Sequence, residues 1–198
     1  MVHLRTLTII FLSSLVAFTT ADIFKWSDRS ALLNSANEVS RSYEALYVLL
    51  DRLASYETPR SAWDEAEGLA VVRVEIQAIT SAMDNELDLV DGPKKVDHWD
   101  KKSLDDLYGI MKTTYGPDGW AQKACKQLAN AGHAIKELGH AKAIETDFKH
   151  VVYAHKVLVD ATAKFGDSRF PKVVQQASWA INFAYASVIP SRRAPPTS

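Results

Sequence analysis

The chain has 198 residues, 47% of them hydrophobic, with 23 Lys+Arg against 24 Asp+Glu and a single cysteine. That length can fill one good core, and the near-zero charge excludes the concentrated basic surface that nucleic-acid phosphates require. One thiol excludes an internal disulfide framework, so the fold must be held by apolar burial.

Residues 1–21 predict a secretory signal peptide. Arg5 charges its start, Leu7 to Phe18 (LTIIFLSSLVAF) is an apolar run of twelve residues, and Thr19-Thr20-Ala21 places small residues at the cleavage positions. A helix of that length rises about 18 Å, short of a hydrocarbon core of roughly 30 Å, so the run is not read as an anchor. No later stretch is long and uncharged enough to span a membrane. The expected product is exported, starts at Asp22, and carries 22 basic against 24 acidic side chains, a formal charge of −2. No Asn-x-Ser/Thr sequon occurs, so N-glycosylation is not expected.

From about Ser27 to Tyr56, Leu32, Ala36, Val39, Tyr43, Leu46, Leu50 and Leu53 recur at spacings of four and three, one face of a helix. Thr58-Pro59 ends it or opens the next. From about Pro59 or Ser61 to Val90 the same rhythm runs through Ala62, Ala66, Leu69, Val72, Ile76, Ile79, Met83, Leu87 and Val90. Its first turns hold Asp64, Glu65 and Glu67, where acids suit the helix dipole. Asp91-Gly92-Pro93 stops it.

A charged connector, KKVDHWDKK, follows at residues 94–102. Ser103 with Asp106 three residues later resembles a capping arrangement for a short helix presenting Leu104, Leu107, Tyr108 and Met111. Tyr115-Gly116-Pro117-Asp118-Gly119 is a turn. Trp120, Ala121, Ala124, Leu128, Ala131, Ile135 and Leu138 form the next stripe, with Cys125 at its edge as a buried free thiol. Gly139 is a hinge or a cap. Beyond it Ile144, Phe148, Val151, Val152, His155, Leu158 and Val159 continue in a shifted phase, and Gly166 to Pro171 breaks the chain. A last helix, about Lys172 to Ile189, carries Val174, Ala177, Ile181, Ala184, Tyr185 and Val188 on one side. Trp179 and Phe183 widen that side, so this helix is expected to be the most buried. No strand pattern, internal repeat or second composition block appears. The fold class expected is all-α: a single bundle of five or six amphipathic helices over residues 22–190, with a disordered tail at 191–198.

Four of the six histidines fall within residues 133–155, in company with Glu137-x-x-His140 and Asp147-x-x-His150. A carboxylate three residues before a histidine is how bundle-type metal sites are often built. On one helix, however, His133 and His140 stand about 10.5 Å apart along the axis, so both cannot easily reach one ion. Position 133 also lies roughly 200° around from Ala131 at 100° per residue, on the side away from the apolar stripe. The residues are read as a solvated face, and neither a metal nor a cofactor is expected. His155 sits on the apolar stripe instead, where a hydrogen-bonded core histidine is expected.

The specific enzymatic motifs are missing: no Gly-x-Ser-x-Gly, no His-Glu-x-x-His, no Gly-rich phosphate loop, no paired-cysteine zinc pattern. Trp26, Trp63, Trp99, Trp120 and Trp179 mostly stand near helix starts or connectors. They either plug the ends of the bundle or line an aromatic contact site, and Trp63, Trp99, Trp120 and Trp179 are the candidate ligand-binding residues.

The leader, the low cysteine content and amphipathic segments such as Ala62-Trp63-Asp64-Glu65-Ala66-Glu67-Gly68-Leu69-Ala70 are similar in layout to small secreted fungal proteins of the hydrophobic-surface-binding and cell-wall mannoprotein group. That resemblance implies a helical fold and contact with apolar surfaces or lipids outside the cell, without catalysis. It carries over no site residue. The function expected is therefore an extracellular, non-enzymatic binding protein for an apolar small molecule, a cell-surface component or a protein partner, with no nucleic acid and no membrane span. The alternative is a secreted metal-binding protein or metal-dependent enzyme using His133, Glu137, His140 and His150.

Overall fold

The four-and-three spacing of the first segment becomes the buried stripe of α1 (Arg29–Ala54), where Leu32, Ala36, Val39, Tyr43, Leu46 and Leu50 all turn inward. The second becomes α2 (Ala66–Asp91), burying Leu69, Val72, Ile76, Ile79 and Met83. The computed structural model describes residues 29–54, 66–91, 100–137 and 139–189. The expected leader and tail, and Trp26, Trp63 and Trp99, lie outside the described residues.

Then come α3 (Lys101–Tyr115), α4 (Trp120–Glu137), α5 (Ala141–Thr162), a 3₁₀ turn (Ala163–Phe165), α6 (Arg169–Gln175) and α7 (Ser178–Val188). The described residues contain no strand. The fold is an all-α bundle of five longer helices and two short ones. Four of the longer helices and α7 form a ring in the order α1, α2, α5, α7, α4, each packed against the next, while α3 packs on α1 and α6.

Three boundaries differ from expectation. The cap of α3 is Asp100, in extended conformation, whose Oδ1 accepts the Ser103 backbone N–H at 2.9 Å. Ser103 lies within the first turn and is buried, and the aspartate just ahead of that turn both accepts its N–H and suits the positive end of the dipole. The expected break at 166–171 shrinks to residues 166–168, opened by Gly166 with a left-handed φ of 71°. Helix α6 begins at Arg169 and holds Pro171 in its first turn, where no intrahelical N–H is needed. The expected helix from Lys172 to Ile189 is two helices, joined where Gln176 and Ala177 turn tightly onto Val173 and Val174.

Gly139 resolves as a cap. Its φ is 77°, its N–H donates to Lys136 O, and the His140 N–H reaches back to Ile135 O at 3.2 Å. That pair of bonds is a Schellman ending, which a left-handed glycine permits without strain. The connection from α4 to α5 is therefore sharp.

Helices α4 and α7 run parallel. Gln122 near the start of α4 donates to Gln176 O at 3.2 Å, and Gly132 faces Ser187 eleven residues further along. A Cβ on Gly132 would stand 2.7 Å from Ser187 O, so only glycine allows this approach. Helices α2 and α5 are clamped by Arg73 Nε donating to Asp147 Oδ2 at 2.6 Å and Gln77 to Asp147 Oδ1 at 3.2 Å.

Candidate functional site

Two groups of side chains stand out chemically, one sealed inside and one on the surface.

The inner group collects polar side chains from six helices. Tyr43 (α1), Glu86 (α2), Tyr115 (α3) and Cys125 (α4) are all at most 1% exposed, and His155 (α5) is 3% exposed. His155 Nε2 shares a hydrogen bond with Ser178 Oγ at 3.1 Å, so the core histidine is partnered from α7 as its place on the stripe suggests. The Tyr115 ring meets Tyr43 edge-on at 6.3 Å and the His155 ring at 5.6 Å. Tyr43 Oη donates to Met83 Sδ at 3.8 Å. Glu86 faces the Tyr115 hydroxyl closely enough for each to influence the other's ionisation. Neither carboxyl oxygen of Glu86 makes a well-formed hydrogen bond, nor does Tyr115 Oη or His155 Nδ1.

Burial decides the charge of this group. Desolvation disfavours every ionised form, so the Glu86 carboxyl is pushed up to about 8 and is largely protonated at neutral pH. The same cause pushes His155 down to about 4, leaving a neutral imidazole. Burial also raises the Cys125 thiol and both tyrosines far above their usual range. A thiol that stays protonated is a poor nucleophile, and none of these atoms meets solvent. The core is polar, neutral and closed.

Sequence reading missed Glu86 and Tyr115. The stripe Ile76, Ile79, Met83 predicts its next inward position at 86, and Leu87, read as that position, is only half-buried. Likewise 111 plus four is Tyr115, which reads as part of a turn but closes α3.

The surface group is on α7. Trp179 is 66% exposed and Phe183 47%, their rings stacked nearly flat at 5.0 Å with an interplanar angle of 6°. This corrects the expectation that both rings widen a buried face: Ala180, Ile181, Ala184 and Val188 fill the inner side of α7, and the aromatic pair stands one turn apart on the outside. Asn182, Ala186 and Ile189 are exposed with them. No charged residue occurs between Lys172 and Arg192.

The other candidate tryptophans do not join Trp179 in one site among the described residues. Trp120 is half-buried at the start of α4, with its ring against Tyr47 at 5.8 Å and the Lys123 ammonium 4.5 Å from its centroid. It seals the seam between α1 and α4. Trp63 and Trp99 lie outside the described residues.

The histidine stretch is dispersed. His133 is exposed near the end of α4, while His140 has left that face and begins α5 past the Gly139 cap. Asp147 is held by Arg73 and Gln77, and His150 is exposed. The Glu137 side chain lies outside the description. Among the described residues no group of three or more His, Cys, Asp or Glu is placed to hold a metal ion. Nor is any described helix long and apolar enough to cross a membrane.

Compared with protein-family models, with curated proteins and with solved structures, the chain matches none. The class stands on the fold itself: an all-α bundle with a closed polar core and an aromatic outer face on its last helix.

Proposed function

We propose that this is an exported protein that acts by binding rather than by catalysis, and that it presents the outer face of α7 to an apolar groove on a protein partner. The observation that carries this reading is the stacked, exposed Trp179–Phe183 pair on a charge-free helical stripe. Trp179, Phe183, Ala186 and Ile189 recur at the spacing by which a helix anchors in a groove. Covering them desolvates no ion, and exposed tryptophan concentrates binding energy where it is buried on contact. A convex stripe encloses no small molecule, which favours a groove-bearing partner over a free apolar ligand. The nucleophilic and acid–base groups of the core are sealed from any substrate, which supports a non-enzymatic role.

The test is paired capture from the extracellular medium with the wild-type chain and a Trp179→Ala/Phe183→Ala variant as baits, followed by titration of the recovered component against each purified bait. A component bound by wild type and at least about tenfold weaker on the variant is expected, the usual effect of removing such an anchor. Equal affinity for both would sink the proposal. Binding only to phosphatidylcholine vesicles, again lost in the variant, would move the reading from a protein to a lipid surface.

A further inference from the structure

Helix α5 turns a second stripe outward, opposite the one it buries. Every exposed position between Lys142 and Asp160 is basic or uncharged: Thr146, Lys149, His150, Tyr153 and Lys156. Lys142, Lys149 and Lys156 recur every seven residues, about 10.5 Å apart along the axis, and each seven-residue step drifts by only about 20°. The three ammonium groups therefore follow a line about 21 Å long. Tyr153 stands between the last two and is 70% exposed.

We propose that this strip binds a linear acidic polysaccharide with one carboxylate per disaccharide, laid along α5. The carboxylates near the strip leave it positive. Glu145 is held by Lys142 at 2.9 Å, and Asp147 is held by Arg73 and Gln77 at the seam with α2. Asp84 of α2 lies on the His150 side of the helix. Lys149 and Lys156 make no ion pair among the described residues. Asp160, one turn past Lys156, ends the strip.

The spacing selects the occupant. Bases set this far apart suit an anion whose charges are equally sparse, whereas a nucleic acid or a heavily sulfated polymer calls for a concentrated basic surface. Three lysines fall short of the about four to eight that an anionic lipid surface takes. A folded protein needs an apolar centre within its interface, and a single ring does not make one. A polymer with one uronate per disaccharide carries its charges two sugars apart, on the scale of one heptad of helix. Tyr153 stands in the interval between charges, where its ring can lie on the apolar face of a sugar while its hydroxyl meets sugar hydroxyls. Each contact is weak, but overlapping repeats along one polymer chain multiply the chances of rebinding.

Frontal chromatography of the purified chain on immobilised hyaluronate, a polymer of this class, tests the strip. Wild type should be retained, and retention should fade by about 1 M salt, where screening reaches about 3 Å. Lys149→Glu/Lys156→Glu should weaken binding at least about tenfold, and Tyr153→Ala about threefold or more. Lys101→Glu/Lys102→Glu, at exposed positions opening α3, changes the net charge equally and should stay within about twofold of wild type. Trp179→Ala/Phe183→Ala should do the same, so this strip and the face of α7 are judged separately. All four variants change exposed positions and should keep the wild-type helical circular dichroism. No retention of wild type would overturn the proposal. So would an equal loss in the two lysine pairs, which is a response to net charge alone. Binding to heparin or to phosphatidylserine vesicles without binding to hyaluronate would overturn it as well.

Discussion

Glu86→Gln measures what the sealed core costs the fold. Glu86 holds its proton up to about pH 8 in the folded chain, against an ordinary value of 4.5. Between those values the folded state binds more protons than the unfolded state, so stability falls as pH rises. The slope is about 1.4 kcal/mol per pH unit, reaching about 5 kcal/mol once both states are ionised. His155 works in the opposite sense, pushed down to about 4 from an ordinary 6.5. Over that interval the unfolded state binds the extra proton, so stability rises with pH by about 3 kcal/mol in total. The two slopes oppose each other where they overlap, from 4.5 to 6.5. Above 6.5 the His155 slope is spent while that of Glu86 continues, and Glu86 contributes a loss of about 2 kcal/mol by pH 8. The glutamine variant lacks that slope but adds a buried N–H without a partner, which costs about 1–3 kcal/mol. Urea unfolding of both proteins at a series of pH values, followed by far-UV circular dichroism, gives the comparison. The variant should be the less stable on the acid side and the more stable by about 2–4 kcal/mol above pH 8, the two curves crossing between. Tyr43 and Tyr115 sense Glu86 but stay protonated well below their ordinary value of 10.0, so over this pH range the difference curve belongs to Glu86. Parallel curves would refute the reasoning.

Three further outcomes follow from the packing. Gly132→Ala puts a Cβ 2.7 Å from Ser187 O, so α4 and α7 must separate, and thermal unfolding should show a loss of about 1–3 kcal/mol; unchanged stability would mean the helices do not approach so closely. Asp100→Ala removes the cap of α3 and should cost about 0.5–2 kcal/mol, with Asp100→Asn recovering most of it in the same denaturation assay. Cys125 is buried, its thiol held protonated by desolvation, so a thiol-reactive probe should label it in urea and hardly at all in the native state; rapid native labelling would contradict the packing.

The buried stripes of α1, α2, α4 and α5 were legible because each alternates spacings of four and three over several turns, and apolar burial enforces that period. What escaped were positions where residue type and place disagree. Glu86 stands in phase with Met83 and Ile79 but is acidic, and a carboxylate belongs outside unless it is neutralised, as it is here by desolvation. Trp179 and Phe183 erred the other way: large rings on a helix with no charged residue carry little information about which side faces in. Small residues settled that, since Ala177, Ala180 and Ala184 let α7 lie close to its neighbours. Ser103 looked like a cap because serine usually is one, and Asp100 three residues earlier is the stronger acceptor. The histidines gave a true spacing but no true neighbours, because Gly139 turns the chain between His133 and His140.

The position of α7 has a consequence for the order in which the chain can mature. Helices α4 and α5 follow one another with a three-residue connection at 138–140, yet each packs more extensively on α7 than on the other. Helix α7, the last of the described helices, is thus a wedge between two made earlier. Until it arrives the ring is open, His155 lacks Ser178, and the apolar flanks of α4 and α5 face water. Helices α1 to α3 can find one another as they emerge, but the ring closes only once α7 is in place. Loss of α7 would leave an open bundle, not a shorter one.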